Sequence, residues 1–268
     1  MGKYIHLYST EQEFEADYNG AAYIEPWVSL TLDVDRVDYN KTPVPPTPVD
    51  PSTYPFTIEA LGNGNIVWNI GSKSLQYSMD DGETWETFTS PLAVSAGDKV
   101  QFKGTNSSSF FGNCLSGSTM NFNVEGNIMS LFAGDNFANV NTIMSAAFTY
   151  LFDGCTQLKS AENLALPVTD LTNAYGCYSQ MFKGCTSITK APILPAQTLV
   201  PDCYAQMFSG CTNLTYIKCL ATSIPMVQCT ADWVNGVAAS GTFVKDASMT
   251  GWATGTGGIP SGWTIQDA

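Results

Sequence analysis

The chain has 268 residues, 44% of them hydrophobic and only 13% charged, with a formal net charge of −13, one arginine and one histidine. That length and apolar share suit about two cored domains and exclude a disordered chain. The acidic balance excludes nucleic acid and anionic membrane as partners, because both are bound by clustered cations that displace counterions. No run reaches the ~18 apolar residues of a membrane span, so membrane insertion is not expected either.

In chain order, residues 4–8 alternate as a strand, and Thr10 with Glu13 forms a capping box that opens a short helix. Phe14 and Tyr18 share one face of that helix, Gly20 ends it, and residues 27–32 and 36–39 read as two further strands. A piece as short as 1–41 cannot bury a core alone. It is therefore expected to be an N-terminal anchoring segment that docks on a partner through Phe14, Tyr18, Trp27, Arg36 and Tyr39, the alternative being a subdomain packed on the rest of the chain. The start of the chain carries no apolar run or cleavage site of a signal peptide, so synthesis in a cytoplasm is expected. Residues 42–52 form a Pro-rich spacer, with Pro43, Pro45, Pro46, Pro48 and Pro51 favouring an extended, semi-rigid chain.

Residues 53–106 alternate as an all-β module, with strands predicted at 56–61, 65–70, 75–79, 84–89 and 99–103 and turns at 62–64, 80–82 and 96–98. A module of this size fits a small Ig-like sandwich or a barrel. Within it, Ser78, Asp80, Gly82, Thr84 and Trp85 are spaced as Ser-x-Asp-x-Gly-x-Thr-Trp, which resembles the Asp-box of sialidases. The physical reading is structural: Asp80 bonds turn amides, Gly82 accepts a positive φ and Trp85 packs beneath the hairpin. One copy cannot make a propeller, so the box carries no expectation of glycosidase activity.

The second half repeats. Leu151-Phe152-Asp153-Gly154-Cys155-Thr156-Gln157-Leu158 returns as Met181-Phe182-Lys183-Gly184-Cys185-Thr186-Ser187-Ile188 and as Met207-Phe208-Ser209-Gly210-Cys211-Thr212-Asn213-Leu214. Such a period is that of a solenoid, in which each unit stacks on its neighbours to bury its apolar side. Phe152, Cys155, Leu158, Phe182, Cys185, Ile188, Phe208, Cys211 and Leu214 are the expected repeat core. The stretches 178–182 and 204–208 are predicted as short helical turns, and 188–194 and 214–220 as strands. The first copy is two residues longer before its proline, which predicts a bulge or an irregular coil, and residues 131–135 look like a degraded capping copy. The repeat resembles the BspA-type leucine-rich repeat of bacterial surface proteins, which implies a short leucine-rich-repeat solenoid over 107–230. Residues 231–268 read as a C-terminal cap sealed by Trp233, Trp252 and Trp263, the alternative being exposed platforms for sugar rings.

Eight cysteines fall largely at equivalent repeat positions, as small buried hydrophobes do, and none has the paired spacing of a zinc site. Reduced core thiols are expected, with disulfides as the alternative. Neither a metal nor a cofactor is expected. His6 sits in the anchoring segment, no phosphate-binding or dinucleotide motif is present, and Asp33, Asp35 and Asp38 lack the glycine and glutamate of a calcium loop. No catalytic residue is assigned and the chain is read as a non-enzyme.

The segments around Tyr4 to Tyr8, Tyr23-Ile24-Glu25-Pro26-Trp27 and Arg36-Val37-Asp38-Tyr39, together with the β-module, the repeats and the ending Gly258-Ile259-Pro260-Ser261-Gly262-Trp263-Thr264, resemble virion accessory proteins of phages of gut bacteria, including the crAss-like group. The resemblance implies a head-fibre or tail-associated protein, located in the virion, with capsid or tail proteins as partners of the first segment. It also implies a homo-oligomer that faces a host surface glycan or protein. A bacterial cell-surface adhesin and a glycan-active enzyme are the competing readings. The expected fold class is thus mixed β with an α+β solenoid: a docking segment, an Ig-like β-module, a leucine-rich-repeat solenoid and a cap.

Overall fold

The computed structural model describes residues 49–110, 112 and 115–268, so the expected anchoring residues Phe14, Tyr18, Trp27, Arg36 and Tyr39 lie outside the described residues. The described part is mostly β structure with few helices, and antiparallel strands lead into a β-solenoid of about three turns.

The first strands are β1 (Phe56–Ala60), β2 (Gly64–Ile66), β3 (Gln76–Ser78), β4 (Glu86–Thr87), β5 (Leu92–Val94) and β6 (Lys99–Lys103). Five of them overlap the predicted strands. The exception is β5, whose three residues are too few to show an alternation and which pairs only with β2 in a separate ribbon. Along β1 and β6, Phe56, Ile58, Val100 and Phe102 are fully buried, and with Trp68 they form the centre of this end of the core.

The strand β7 (Phe122–Asn127) also goes beyond the sequence expectations, and it joins the two halves. On one side it pairs antiparallel with β1, Ile58 facing Val124. On the other it pairs in parallel with β8 (Leu158–Ser160) and β9 (Leu164–Ala165), the first strands of the repeats. The split of that coil into two short strands is the irregularity that its two extra residues predict. One sheet therefore runs β4-β3-β6-β1-β7-β8. The parallel strands β10 (Lys190–Leu194), β11 (Tyr216–Cys219), β12 (Thr242–Lys245) and β13 (Thr264–Asp267) form the next.

Opposite the strands, the predicted helical turns are absent. Residues 146–155 form a ribbon of successive turns in which alternate amides close a turn, as Leu151 N–H to Phe148 C=O (3.2 Å) and Asp153 N–H to Tyr150 C=O (3.1 Å). The amides between them donate to the next coil: Phe148 to Cys177 (2.8 Å), Tyr150 to Ser179 (3.1 Å), Phe152 to Met181 (2.8 Å) and Gly154 to Lys183 (2.7 Å). The same pattern links 178–184 to 203–209 and 204–210 to 229–235. An α-helix would return every one of these amides to its own turn; here half of them hold the neighbouring coil. The geometry requires a left-handed residue at every fourth position, met by Tyr150 and Gly154, Gln180 and Gly184, and Gln206 and Gly210. That explains the glycine of each motif, with φ of 68°, 70° and 78° at Gly154, Gly184 and Gly210.

The same hydrogen bonds correct the position of the first rung. Phe110 N–H donates to Ala147 C=O (2.7 Å) and Gly112 N–H to Thr149 C=O (3.3 Å), the registers that Phe148 and Tyr150 make one coil later. Residues 131–135 instead belong to a single α-helical turn (Ser130–Ala133) and a following 3-10 turn (Gly134–Asn139) beside the stack.

Stacking at fixed register builds two aromatic columns. Phe152, Phe182 and Phe208 stack with centroids 5.2 and 5.6 Å apart, and Phe148, Tyr178 and Tyr204 at 6.0 and 6.1 Å. Trp233 ends both columns and is itself covered by Trp252, stacked nearly parallel to it at 5.5 Å. The indole N–H of Trp233 donates to Gly258 C=O and that of Trp263 to Ala238 C=O, so these rings close the stack. At the other end the columns meet Phe56 and Phe110 of the antiparallel half, and a single core runs from β1 to Trp263.

Removing a ring from a column takes away its burial and leaves a cavity between two coils. Phe208→Ala is expected to lower the unfolding free energy by about 3 to 5 kcal/mol in denaturant titration. Tyr204→Phe should change it by less than about 1 kcal/mol, because the column already accepts Phe148 and the buried Tyr204 hydroxyl has no hydrogen-bond partner among the described residues. An equal loss in both variants would mean that the register of the stack is wrong.

All seven described cysteines are buried. The thiols of Cys185 and Cys211 donate to the carbonyls of Phe152 and Phe182 in the preceding coil, at 2.9 and 3.0 Å. Burial pushes Cys203, Cys211 and Cys219 up to about 12, and Cys177 and Cys185 well above the ordinary thiol. Because the folded thiols ionise later than unfolded ones, their contribution is complete below about pH 8.5 and is lost as pH rises towards the folded value. Denaturation midpoints should fall steadily above about pH 8.5. All eight cysteines should alkylate without reductant after unfolding and slowly before it; a disulfide-linked peptide from fresh protein would contradict this.

Candidate functional site

The outer face of the antiparallel sheet is built by the residues of β1, β6 and β7 that alternate with the core residues: Thr57 and Glu59, Lys99, Gln101 and Lys103, and Asn123 and Glu125. An outward face is ordinarily wet. Here Thr57, Gln101 and Glu125 keep only 2%, 7% and 8% of their surface. The cover comes from two directions, the turn after β3 and the chain leading into β1.

The turn is the Asp-box, and its residues act on one another as their chemistry predicts. Asp80 Oδ1 accepts from the Ser78 hydroxyl (2.7 Å) and the Thr84 amide (2.9 Å), and Oδ2 from the Thr84 hydroxyl (2.6 Å). Gly82, at φ 86°, donates its amide to Ser78 Oγ (2.9 Å) and accepts the Trp85 indole N–H on its carbonyl (3.0 Å). Trp85 is half-buried, and the Lys103 ammonium lies 4.0 Å from its ring centroid while also pairing with Asp135 at 2.7 Å. This closed turn carries Asp81, itself left-handed at φ 59°, over the sheet, where the Gln101 side chain reaches Asp81 Oδ1 at 3.4 Å.

From the other direction, Tyr54 lies against Glu125. Burial, the Glu125 charge and a hydrogen bond to that carboxylate push its hydroxyl up to about 12. Lys99 donates to Glu125 at 2.7 Å, and that hydrogen bond raises the lysine. Together these groups line a cleft of about 310 Å³.

Three other clefts have a different character. One of about 380 Å³ lies on the solenoid among Thr169, Asp170, Gln197 and Thr198; another of 380 Å³ is apolar, between Phe132, Val140, Ile143 and Met144; a third of 260 Å³ lies beside Lys103 and Asp135. Among the described residues no group of three or more His, Cys, Asp or Glu side chains is placed to hold a metal, and no helix is long and apolar enough to cross a membrane.

The nine repeat positions Phe152, Cys155, Leu158, Phe182, Cys185, Ile188, Phe208, Cys211 and Leu214 are all fully buried, so they carry the stack and none of them reaches a ligand. Sequence reasoning missed Tyr54, Thr57, Lys99, Gln101 and Glu125. The available signal was the alternation of 99–103, which places Lys99 and Gln101 on the face opposite the core. No family model, curated protein or solved structure matches the chain.

The bonds to Thr84 and Ser78 hold Asp80 at about 2, below the ordinary carboxylate. A depressed folded value contributes stability above about pH 4 that is lost as pH falls towards 2. Asp80→Asn should therefore reduce stability at pH 7 and flatten the acid limb of the pH–stability curve. An unchanged acid limb would show that the carboxylate does not organise the turn.

Proposed function

We propose that this is a non-enzymatic attachment or structural protein, a phage virion fibre or decoration component that is anchored by residues 1–41 and displays residues 53–268 for recognition of a host surface glycan or protein. The observation that carries this reading is the uninterrupted core from β1 to Trp263, which makes a stiff presenting body out of otherwise short strands. Among its outward positions Thr156, Thr186 and Thr212 repeat as an uncharged column, which suits adaptable hydrogen bonding to a polar surface. We take the coils as BspA-type leucine-rich repeats, on the strength of the stacked Phe-x-Gly-Cys-x-x-Leu positions, and the antiparallel half as an Ig-like module, on the strength of the β2/β5 ribbon that shares its core. Several copies on one particle raise the avidity of a weak single site through effective concentration.

Removal of residues 1–41 is expected to leave a cooperatively folding remainder that no longer enters the particle, measured by denaturant titration and by mass spectrometry of purified virions. An oligomerised 42–268 fragment should bind whole host cells or a glycan array. Normal incorporation of the truncated chain would remove the anchoring role, and turnover of a glycan would replace the attachment reading with an enzymatic one.

A further inference from the structure

We propose that the cleft between the Asp-box turn and the chain entering β1 binds one neutral pyranose unit of a glycan, with Gln101, Glu125 and Asp81 as its hydrogen-bonding groups and Tyr54 as its apolar wall. The proposal deepens the attachment reading by giving it a site and a ligand class.

The cleft is shaped by fixed groups. Thr57, Gln101 and Glu125 project from three neighbouring strands, β1, β6 and β7, whose register sets Thr57 opposite both Gln101 and Glu125. Gly82 sits over Gln101, so that even a methyl group added there would come within 3.1 Å of Gln101 Oε1. Buried side chains held in this way are pre-organised, so little side-chain entropy is lost on binding. The volume of about 310 Å³ lies at the lower end of the small-molecule range.

The chemistry of the groups selects the ligand. Gln101 offers both a donor and an acceptor, while the carboxylates of Glu125 and Asp81 accept. Sugar hydroxyls donate and accept from neighbouring carbons, and a pyranose also has an apolar face for a ring such as Tyr54. Anions are disfavoured: two carboxylates face one ammonium, and that ammonium already pairs with Glu125 at 2.7 Å. A cationic ligand would have to approach Lys99 beside the same carboxylate, and like charges at close range repel.

The test uses the full chain with the methyl glycosides of glucose, galactose, mannose and N-acetylglucosamine, and with those of sialic and glucuronic acid as anionic probes, by saturation-transfer difference NMR. At least one neutral glycoside should bind at millimolar level, and the anionic ones should bind less. Glu125→Gln, which keeps shape and size, and Asp81→Asn should each weaken that binding by about tenfold, the loss expected for a hydrogen bond to a charged acceptor. Thr198→Ala, in the solenoid cleft, should leave it unchanged, and near-UV circular dichroism should show each variant folded. Neutral binding that is the same in the wild type, Glu125→Gln and Asp81→Asn, or a preference for the anionic probes, overturns the proposal. If host cells are bound equally by the wild type and the two cleft variants, the attachment reading stands and this site does not. Glycoside binding at the cleft without cell binding leaves the site standing and removes host attachment; no binding to either overturns both.

Discussion

Every second amide in the turn ribbons of residues 148–154, 178–184 and 204–210 donates to the neighbouring coil, and the rest of the solenoid follows from that alternation. A ribbon that spends half its donors on a neighbour is unsatisfied alone, so each coil requires the next. The bonds also fix register. Phe152, Phe182 and Phe208 then have no choice but to stack, and Cys185 and Cys211 come within reach of the carbonyls above them. Stacked aromatic pairs add about 0.5 to 1.5 kcal/mol each beyond their burial, so the columns reinforce the order the backbone imposes. The surface carries its own ladder: Gln180 donates to the Tyr150 hydroxyl (2.7 Å), and the Lys183 ammonium bridges Gln180 and Gln206 at 2.9 and 2.7 Å.

Such a stack has two ends that must be closed. At the C-terminal end the single indole of Trp233 covers both columns, to each of which a coil supplies one ring, Trp252 covers Trp233 in turn, and β12 and β13 extend the strand side past them. At the other end, closure and domain joining are the same event. Because β7 is antiparallel to β1 and parallel to β8, its backbone groups are paired on both edges, and the antiparallel half acts as the cap of the solenoid. Phe56 packing on Phe152 and Phe110 on Phe148 carries the columns through that joint.

The repeat was legible because Phe, Gly, Cys and Leu recur at fixed offsets, and those positions are all in the interior or at left-handed turns. The ribbon conformation was not. Tyr178 and Phe182 sit four apart, as on one face of a helix, and only the bonds to Cys203 and Met207 in another coil distinguish the two cases. No single repeat contains that information. The first rung was hidden for a related reason: it is fixed by the bonds of Phe110 and Gly112 to the next coil, whereas Leu131-Phe132-Ala133-Gly134 matches the Leu-Phe-x-Gly of the motif and folds as a local helical turn. Within the cleft, the Asp-box was readable as a closed turn because its bonds are local, while Glu125 was not linked to Tyr54 or Gln101 by anything nearer than the pairing of β1 with β6 and β7.

The placement of the cleft follows from how each half pairs its backbone. In the solenoid some outward positions repeat from coil to coil, as Thr156, Thr186 and Thr212 do in one column, while others vary, as Asp153, Lys183 and Ser209 do. A converging pocket needs unlike groups aimed at one point. The antiparallel half supplies them, since β1, β6 and β7 have unrelated sequences and the Asp-box turn folds back across their outer face. The turn closes on its own hydrogen bonds through Asp80, so Asp81 at its tip is free of any duty to the core. In the proposed binding role, Asp81 is the lining group whose substitution leaves the packing of Phe56, Phe102 and the aromatic columns alone, whereas Lys99 neutralises the buried Glu125 and Gln101 is itself buried. Under that proposal, recognition at the tip of the turn and stiffness in the columns rest on separate residues, which is the condition for changing one while keeping the other.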